Sequence, residues 1–70
     1  MCMNVLARWE SLKGKYWVIA FQNEDGSYGF KSGQYQIGTS GGSGYSSESE
    51  VIKRAELEST FQPSKMKRIK

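Results

Sequence analysis

The sequence predicts a small α+β domain: a three-stranded antiparallel meander with an N-terminal and a C-terminal helix on one face (α-β-β-β-α). Three observations lead to this prediction. A short amphipathic stripe opens the chain, a run of β-branched and aromatic residues broken by turn dipeptides follows, and a helix-capping pattern comes last. The 70 residues allow one domain, which we place at residues 1–62, with a basic tail at residues 63–70.

The N-terminal helix is predicted from apolar spacing. Apolar residues recur at the i, i+1, i+4 and i+7 positions of one helical stripe: Val5, Leu6, Trp9 and Leu12. Asn4 is a suitable N-cap and Gly14 a suitable stop for this helix. Because two helical turns are marginal in isolation, we expect this helix to pack against the sheet.

The meander is predicted from three runs of strand-forming residues. They are KYWVIAF, SYGFK and QYQIG, separated by turns at Asp25-Gly26 and Ser32-Gly33. Such turns pair Phe21 with Phe30 and collect the large apolar residues on the face that meets the helices: Trp17, Ile19, Phe21, Tyr28, Phe30, Tyr35 and Ile37. The opposite face is small and polar, and we expect it to meet solvent.

The C-terminal helix is predicted from a capping box. Ser47 and Glu50 have the S-x-x-E spacing that satisfies two free amides at a helix start. The helix should run to about Ser59 and bury one stripe, Val51, Ile52 and Ala55, to which Leu57 or Phe61 adds. The preceding TSGGSGY segment is predicted to be a flexible loop. The tail after the helix is either disordered or adds a short strand through Met66 or Ile69.

The composition argues against catalysis. The chain has no histidine for acid–base work at neutral pH, and its single cysteine, Cys2, matches no zinc pattern. We therefore expect no enzyme activity, no cofactor and no metal site. A lone cysteine favours a reducing compartment, and the longest apolar run, residues 16–21, is too short to span a membrane. These features predict a soluble cytoplasmic protein that does not contact membranes.

The charge pattern leaves two binding hypotheses open. The first is occupancy of a protein or protein–nucleic-acid complex by a small phage-type inhibitor or adaptor, through five polar and aromatic residues: Tyr16, Lys31, Gln34, Gln36 and Tyr45. The alternative is direct DNA or RNA binding through cations of the sheet, the second helix and the tail: Lys31, Lys53, Arg54, Lys65, Lys67, Arg68 and Lys70. An open strand edge also allows a homodimer.

The predicted order of helix, three strands and helix is similar to that of the double-stranded-RNA-binding domain. That family begins its second helix with lysines that touch phosphate. Here the matching stretch, SSESEVIKR, begins with acids and reaches Lys53 and Arg54 only later. The resemblance therefore assigns no family to the chain.

Overall fold

The chain folds into a five-stranded antiparallel sheet with one helix on one face, as seen in a computed structural model that describes residues 3–35 and 37–70. The elements follow in the order β1 (Asn4–Ser11), β2 (Tyr16–Gln22), β3 (Tyr28–Gln34), β4 (Ile37–Tyr45), α1 (Glu48–Thr60) and β5 (Met66–Arg68). The strand order across the sheet is β4-β3-β2-β1-β5, so β4 and β5 are the edge strands. The predicted α+β class is confirmed, but the described residues form one helix rather than two and more than three strands.

The predicted N-terminal helix is wrong, because residues 4–11 form β1. Ala7, Trp9 and Ser11 are buried and alternate with less buried residues, which is the period of a strand. A β-bulge between Val5 and Ala7 breaks this alternation, and it is the reason why the apolar residues mimic helical spacing. Gly14, with φ of 68°, belongs to the turn that joins β1 to β2.

The predicted TSGGSGY loop is also wrong, because this segment lies in β4 and pairs with β3. The turn predicted at Ser32-Gly33 does not form, since β3 continues to Gln34. Gly42 pairs with Phe30, and a Cβ on Gly42 would lie 2.9 Å from the Phe30 ring. The glycine-rich strand thus leaves room for an aromatic ring of the core.

The register between β2 and β3 differs by one residue from the predicted register. Phe21 pairs with Gly29, and Phe30 pairs with Ala20 rather than with Phe21. The turn covers residues 23–27 and is closed by the Asn23 N–H, which donates to the Ser27 carbonyl at 2.8 Å. A shift of one residue moves a whole strand's side chains to the other face.

This shift corrects the predicted core. The buried cluster that contacts α1 is built from both layers: Ala7, Trp9, Val18, Ala20, Phe30, Val51 and Ala55. By alternation along β2, Trp17, Ile19 and Phe21 lie on the face away from α1. Tyr35 and Ile37, which were also predicted to be inside, are 63% and 71% exposed.

The predicted helix start at Ser47 is confirmed. The Ser47 hydroxyl accepts the Glu50 N–H at 3.3 Å, and the helix continues to Thr60. The Glu50 carboxylate closes the other half of the motif one residue early, since it accepts the N–H and the hydroxyl of Ser46. The Ser47 hydroxyl and the Glu50 carboxylate thus fix the backbone where α1 begins.

Of the two alternatives for the tail, the structure shows the added strand. β5 pairs antiparallel with β1, and Met66 packs against the core beside Ser11. Ile69 follows the strand, and its N–H donates to the Arg8 carbonyl at 2.8 Å. No helix in the described part of the chain is long and apolar enough to cross a membrane.

Candidate nucleic-acid interface

The sheet face that points away from α1, called here the outer face, carries both cations and aromatic residues. Alternation along the strands and the strand pairing place seven side chains of β1 to β3 on it: Val5, Arg8, Glu10, Trp17, Ile19, Phe21 and Lys31. Lys67 of β5 pairs with Glu10 and extends the outer face to the sheet edge. Two more outer positions, in β3, are glycines, Gly29 and Gly33.

Two aromatic rings of β2 lie against these glycines. A Cβ on Gly33 would lie 2.5 Å from Trp17 Cζ2, and a Cβ on Gly29 would lie 3.0 Å from Phe21 Cζ. Phe21 is only 6% exposed, whereas Trp17 stays partly exposed. Trp17 is therefore the accessible aromatic residue that β2 places on the outer face.

One end of the sheet is strongly cationic. The β1–β2 turn supplies Lys13 and Lys15, and the segment before β5 supplies Lys65. These three lysines, called here the cationic end, line one cleft of about 390 Å³ together with Ser11, Leu12 and Ser64. Residues 11–22 and 59–70, which meet here, contain no acid. The fold thus joins two basic segments that lie 50 residues apart in the chain, at Lys15 and Lys65.

The other end of the sheet is acidic. Glu24 and Asp25 lie in the β2–β3 turn, and Glu48 and Glu50 lie in the first turn of α1. The Ser27 hydroxyl and N–H donate to the Asp25 carboxylate at 2.6 and 3.0 Å, and these bonds lower the pKa of Asp25. Hydrogen bonds from Ser46 lower the pKa of Glu50 in the same way. Both carboxylates are charged at neutral pH, so the molecule has one positive and one negative end.

The five residues of the protein-binding hypothesis do not share one surface. Tyr16 and Gln34 are cross-strand partners on the helix side of the sheet, whereas Lys31 lies on the outer face. Tyr45 is half-buried, with its ring centroid 6.0 Å from that of Phe30. Gln36 lies outside the described residues. The one-residue register shift separates Lys31 from Tyr16, and the continuation of β3 through Ser32 and Gly33 separates Lys31 from Gln34.

The cations of the nucleic-acid hypothesis divide into two groups. Lys31 and Lys67 share the outer face, and Lys65 belongs to the cationic end. Lys53 is exposed on α1, in the other layer of the fold. The second group, which begins with Lys53, also includes Arg54 and Arg68, whose side chains lie over aromatic rings of the protein, and Lys70, whose backbone N–H contacts β1.

These contacts within the protein occupy Arg54 and Arg68. The Arg54 guanidinium lies 3.0 Å from the Glu58 carboxylate, off the hydrogen-bonding direction, and its carbon is 4.6 Å from the Phe30 ring centroid. Arg68 lies 5.3 Å from the Trp9 ring centroid. Both arginines therefore cover aromatic rings of the core, and Lys70 follows β5 with its N–H 3.4 Å from the Arg8 carbonyl.

Sequence reasoning missed four residues of this interface: Lys13, Lys15, Trp17 and Tyr35. The sequence signal that could have located them was the alternation of Ala7, Trp9 and Ser11, which indicates a strand. With a strand at this place, the LKGK segment that follows is a hairpin turn rather than the end of a helix. Tyr35 lies in the β3–β4 turn, and its N–H donates to the Lys15 carbonyl at 2.8 Å. This bond joins the two turns at the cationic end.

The interface offers binding groups but no metal-ligand set: the described residues contain no group of three or more His, Cys, Asp or Glu side chains that could hold a metal ion. Its chemistry is that of lysine ammonium groups and of the exposed parts of Trp17 and Tyr35, which suits phosphate and base contacts. No family model matches the chain, and neither a curated protein nor a solved structure is significantly similar to it.

Proposed function

We propose that this protein acts by non-catalytic binding of nucleic acid through its outer face and cationic end. The observation that supports this proposal is the segregation of charge. Five lysines lie on the outer face or at the cationic end: Lys13, Lys15, Lys31, Lys65 and Lys67. The acid on the same face, Glu10, is ion-paired with Arg8, so it does not cancel the lysines. A cationic surface of this kind is the electrostatic footprint expected of a nucleic-acid-binding protein.

Phosphate is the partner that suits these lysines best. Lysine is depleted at the centres of protein–protein interfaces, because a mobile ammonium group is costly to desolvate there. Against a nucleic acid, each lysine that neutralises a phosphate releases a bound counterion and gains affinity. If all five lysines take part, the logarithm of the binding constant should fall with the logarithm of salt concentration with a slope of about −3 to −5.

The protein-partner hypothesis has one observation in its favour. A groove of about 660 Å³ lies beside α1 and is lined by Tyr45 and Leu57 together with charged residues of the helix. Leu57 is 50% exposed and Tyr45 is half-buried, so both could anchor a partner side chain. This groove makes an inhibitor or adaptor that occupies a protein surface the second candidate function.

The test compares two charge reversals in the full chain. Labelled DNA and RNA are titrated at 50 and 200 mM salt with the parent, Lys15→Glu and the matched control Lys53→Glu. Lys15→Glu should weaken binding about tenfold or more at low salt, whereas Lys53→Glu, which lies on the helix layer, should change it less than about threefold.

Two results would contradict the proposal. If no nucleic acid binds at 50 mM salt, nucleic-acid binding is excluded and the groove beside α1 becomes the site to test with Leu57→Asp. If both reversals weaken binding equally, binding is unspecific attraction to net charge and the outer face has no special role.

A further inference from the structure

We infer that the nucleic acid is single-stranded, with its bases stacked on Trp17 and Tyr35 and its phosphates held by the cationic end. This inference rests on the proposed function and adds the substrate class. It depends on three observations: the width of the sheet, the position of the Trp17 ring, and the backbone conformation of Tyr35.

The sheet is too wide for a duplex groove. Five strands spaced about 4.8 Å apart span about 19 Å, whereas the major groove of B-DNA is about 12 Å wide and the minor groove about 6 Å. The outer face as a whole therefore cannot enter a groove, and at most two neighbouring strands could reach base edges there, where stacked bases offer their edges and not their faces to the aromatic rings. A single strand has no such limit, because its bases can turn towards a flat surface.

Trp17 is held in the orientation that stacking requires. Its ring lies against Gly33, where a Cβ would be 2.5 Å from Cζ2 and 2.8 Å from Cε2, and its Nε1–H donates to the Tyr35 carbonyl. The indole is thus held against β3, and the ring cannot rotate without losing the hydrogen bond. Trp17 stays partly exposed, and its exposed part can take a base, which every nucleotide can offer because all bases have a π face.

Tyr35 has a backbone conformation that its side chain does not favour. Its φ of 53° lies in the left-handed region, and it is the one non-glycine with positive φ among the described residues. Tyr35 lies in the hairpin turn between the paired residues Gln34 and Ile37, where positive φ is usual but asparagine or glycine is favoured, and its side chain is 63% exposed, so neither the turn nor the core calls for a tyrosine. Strained residues that the core does not need are concentrated at binding sites.

The Tyr35 backbone also joins the aromatic and basic parts of the site. The carbonyl accepts from Trp17, and the N–H donates to the Lys15 carbonyl. The turn therefore fixes the indole and the β1–β2 lysines in one unit. A strand that stacks on Trp17 and Tyr35 therefore lies next to Lys15, which lines the same cleft as Lys13 and Lys65.

The experiment compares a labelled single strand with a hairpin duplex of the same sequence, in DNA and in RNA. Trp17 reports stacking through quenching of tryptophan fluorescence, since the other tryptophan, Trp9, is 4% exposed in the core. We expect the single strand to bind about tenfold more tightly than the duplex and to quench the emission.

The key variant is Tyr35→Asn, since asparagine accepts positive φ and the variant should fold. It should lower single-strand affinity about fivefold or more, leave duplex affinity unchanged and not lower the melting temperature. The control is Phe61→Ala, which removes an aromatic side chain that is 67% exposed just after α1 and should change neither affinity.

The outcomes separate this inference from the proposed function. Equal or tighter duplex binding, with Tyr35→Asn neutral, would overturn the single-strand inference and leave nucleic-acid binding intact. A single-strand preference that Tyr35→Asn does not reduce would overturn the stacking site. No binding to any strand would overturn both proposals.

Discussion

Trp17 lies across Gly33 of the neighbouring strand so closely that a Cβ at position 33 would be 2.5 Å from the indole Cζ2. The same Cβ would be 2.3 Å from the Ile37 carbonyl oxygen. Glycine ordinarily weakens the interior of a strand, because it has no side chain to pack. Here the indole takes the place of that side chain, so this glycine and this tryptophan form one packing unit.

This unit predicts that Gly33→Ala destabilises the fold. The methyl group meets the ring on one side and fixed backbone on the other, so relief requires the strands to separate. We expect a loss of about 2 kcal/mol or more of unfolding free energy, measured by urea denaturation. Gly38→Ala is the matched control, because nothing lies within 4 Å of a Cβ there and its φ is not positive. Equal stability of the two variants would show that Trp17 does not lie over Gly33.

Ser47→Ala should weaken the start of α1. The hydroxyl accepts the Glu50 N–H, and its loss leaves a helix-end amide without a partner, at a cost of about 1 kcal/mol in thermal or chemical unfolding. Ser49→Ala serves as the comparison on the same turn, with an expected change of less than about 0.5 kcal/mol. A larger effect at Ser49 than at Ser47 would contradict the capping assignment.

Val51→Ala should create a cavity between α1 and the sheet. Val51 is fully buried in the core cluster, and removing its two methyl groups should cost about 2 kcal/mol of unfolding free energy. Leu57→Ala on the same helix removes more atoms from a side chain that is 50% exposed, and it should cost less. If the order were reversed, α1 would pack on the sheet through a different stripe.

Acid should destabilise the fold through Asp25 and Glu50. Their pKa values are lowered in the folded protein by hydrogen bonds from Ser27 and Ser46. A lowered folded-state pKa adds stability that is fully present above the unfolded pKa, near 4, and is lost as pH falls through the folded pKa. The melting temperature should therefore decline below about pH 4, and the difference between the parent and Asp25→Asn should shrink there. A constant difference from pH 7 to pH 3 would contradict this linkage.

The parts of the fold that could be predicted are those where local chemistry decides the outcome. The capping serine at position 47 and the apolar stripe of Val51 and Ala55 identify α1, because both act within a few turns. Strand-forming residues identify most of β2 and β3 for the same reason.

The rest depended on interactions that are distant in sequence or on one-residue details. A bulge beside Leu6 gave β1 the apolar spacing of a helix. A five-residue turn in place of a two-residue turn shifted the pairing of β2 with β3 by one residue, so the side chains of one strand lie on the opposite face from the one predicted. The glycines of β4 have low strand propensity, yet they pair with β3, because a larger residue at Gly42 would collide with the ring of Phe30. The interface was not predicted because β1 was predicted to be a helix. Lys13 and Lys15 come close to Lys65 only when β1 and β5 pair.

The opposite charges at the two ends of the sheet have a consequence for how the protein approaches a partner. The seven residues of β2 separate the ends by about 20 Å, more than twice the distance of about 8 Å over which physiological salt screens charge. The ends therefore do not neutralise one another, and the molecule carries an electric dipole moment that its net charge of +3 understates. In the electric field of a polyanion, the protein therefore rotates so that its lysine-rich end leads before any contact is made. Replacing the acids of the β2–β3 turn, Glu24 and Asp25, would reduce that dipole moment. It would change the association rate constant and leave the dissociation rate constant almost unchanged.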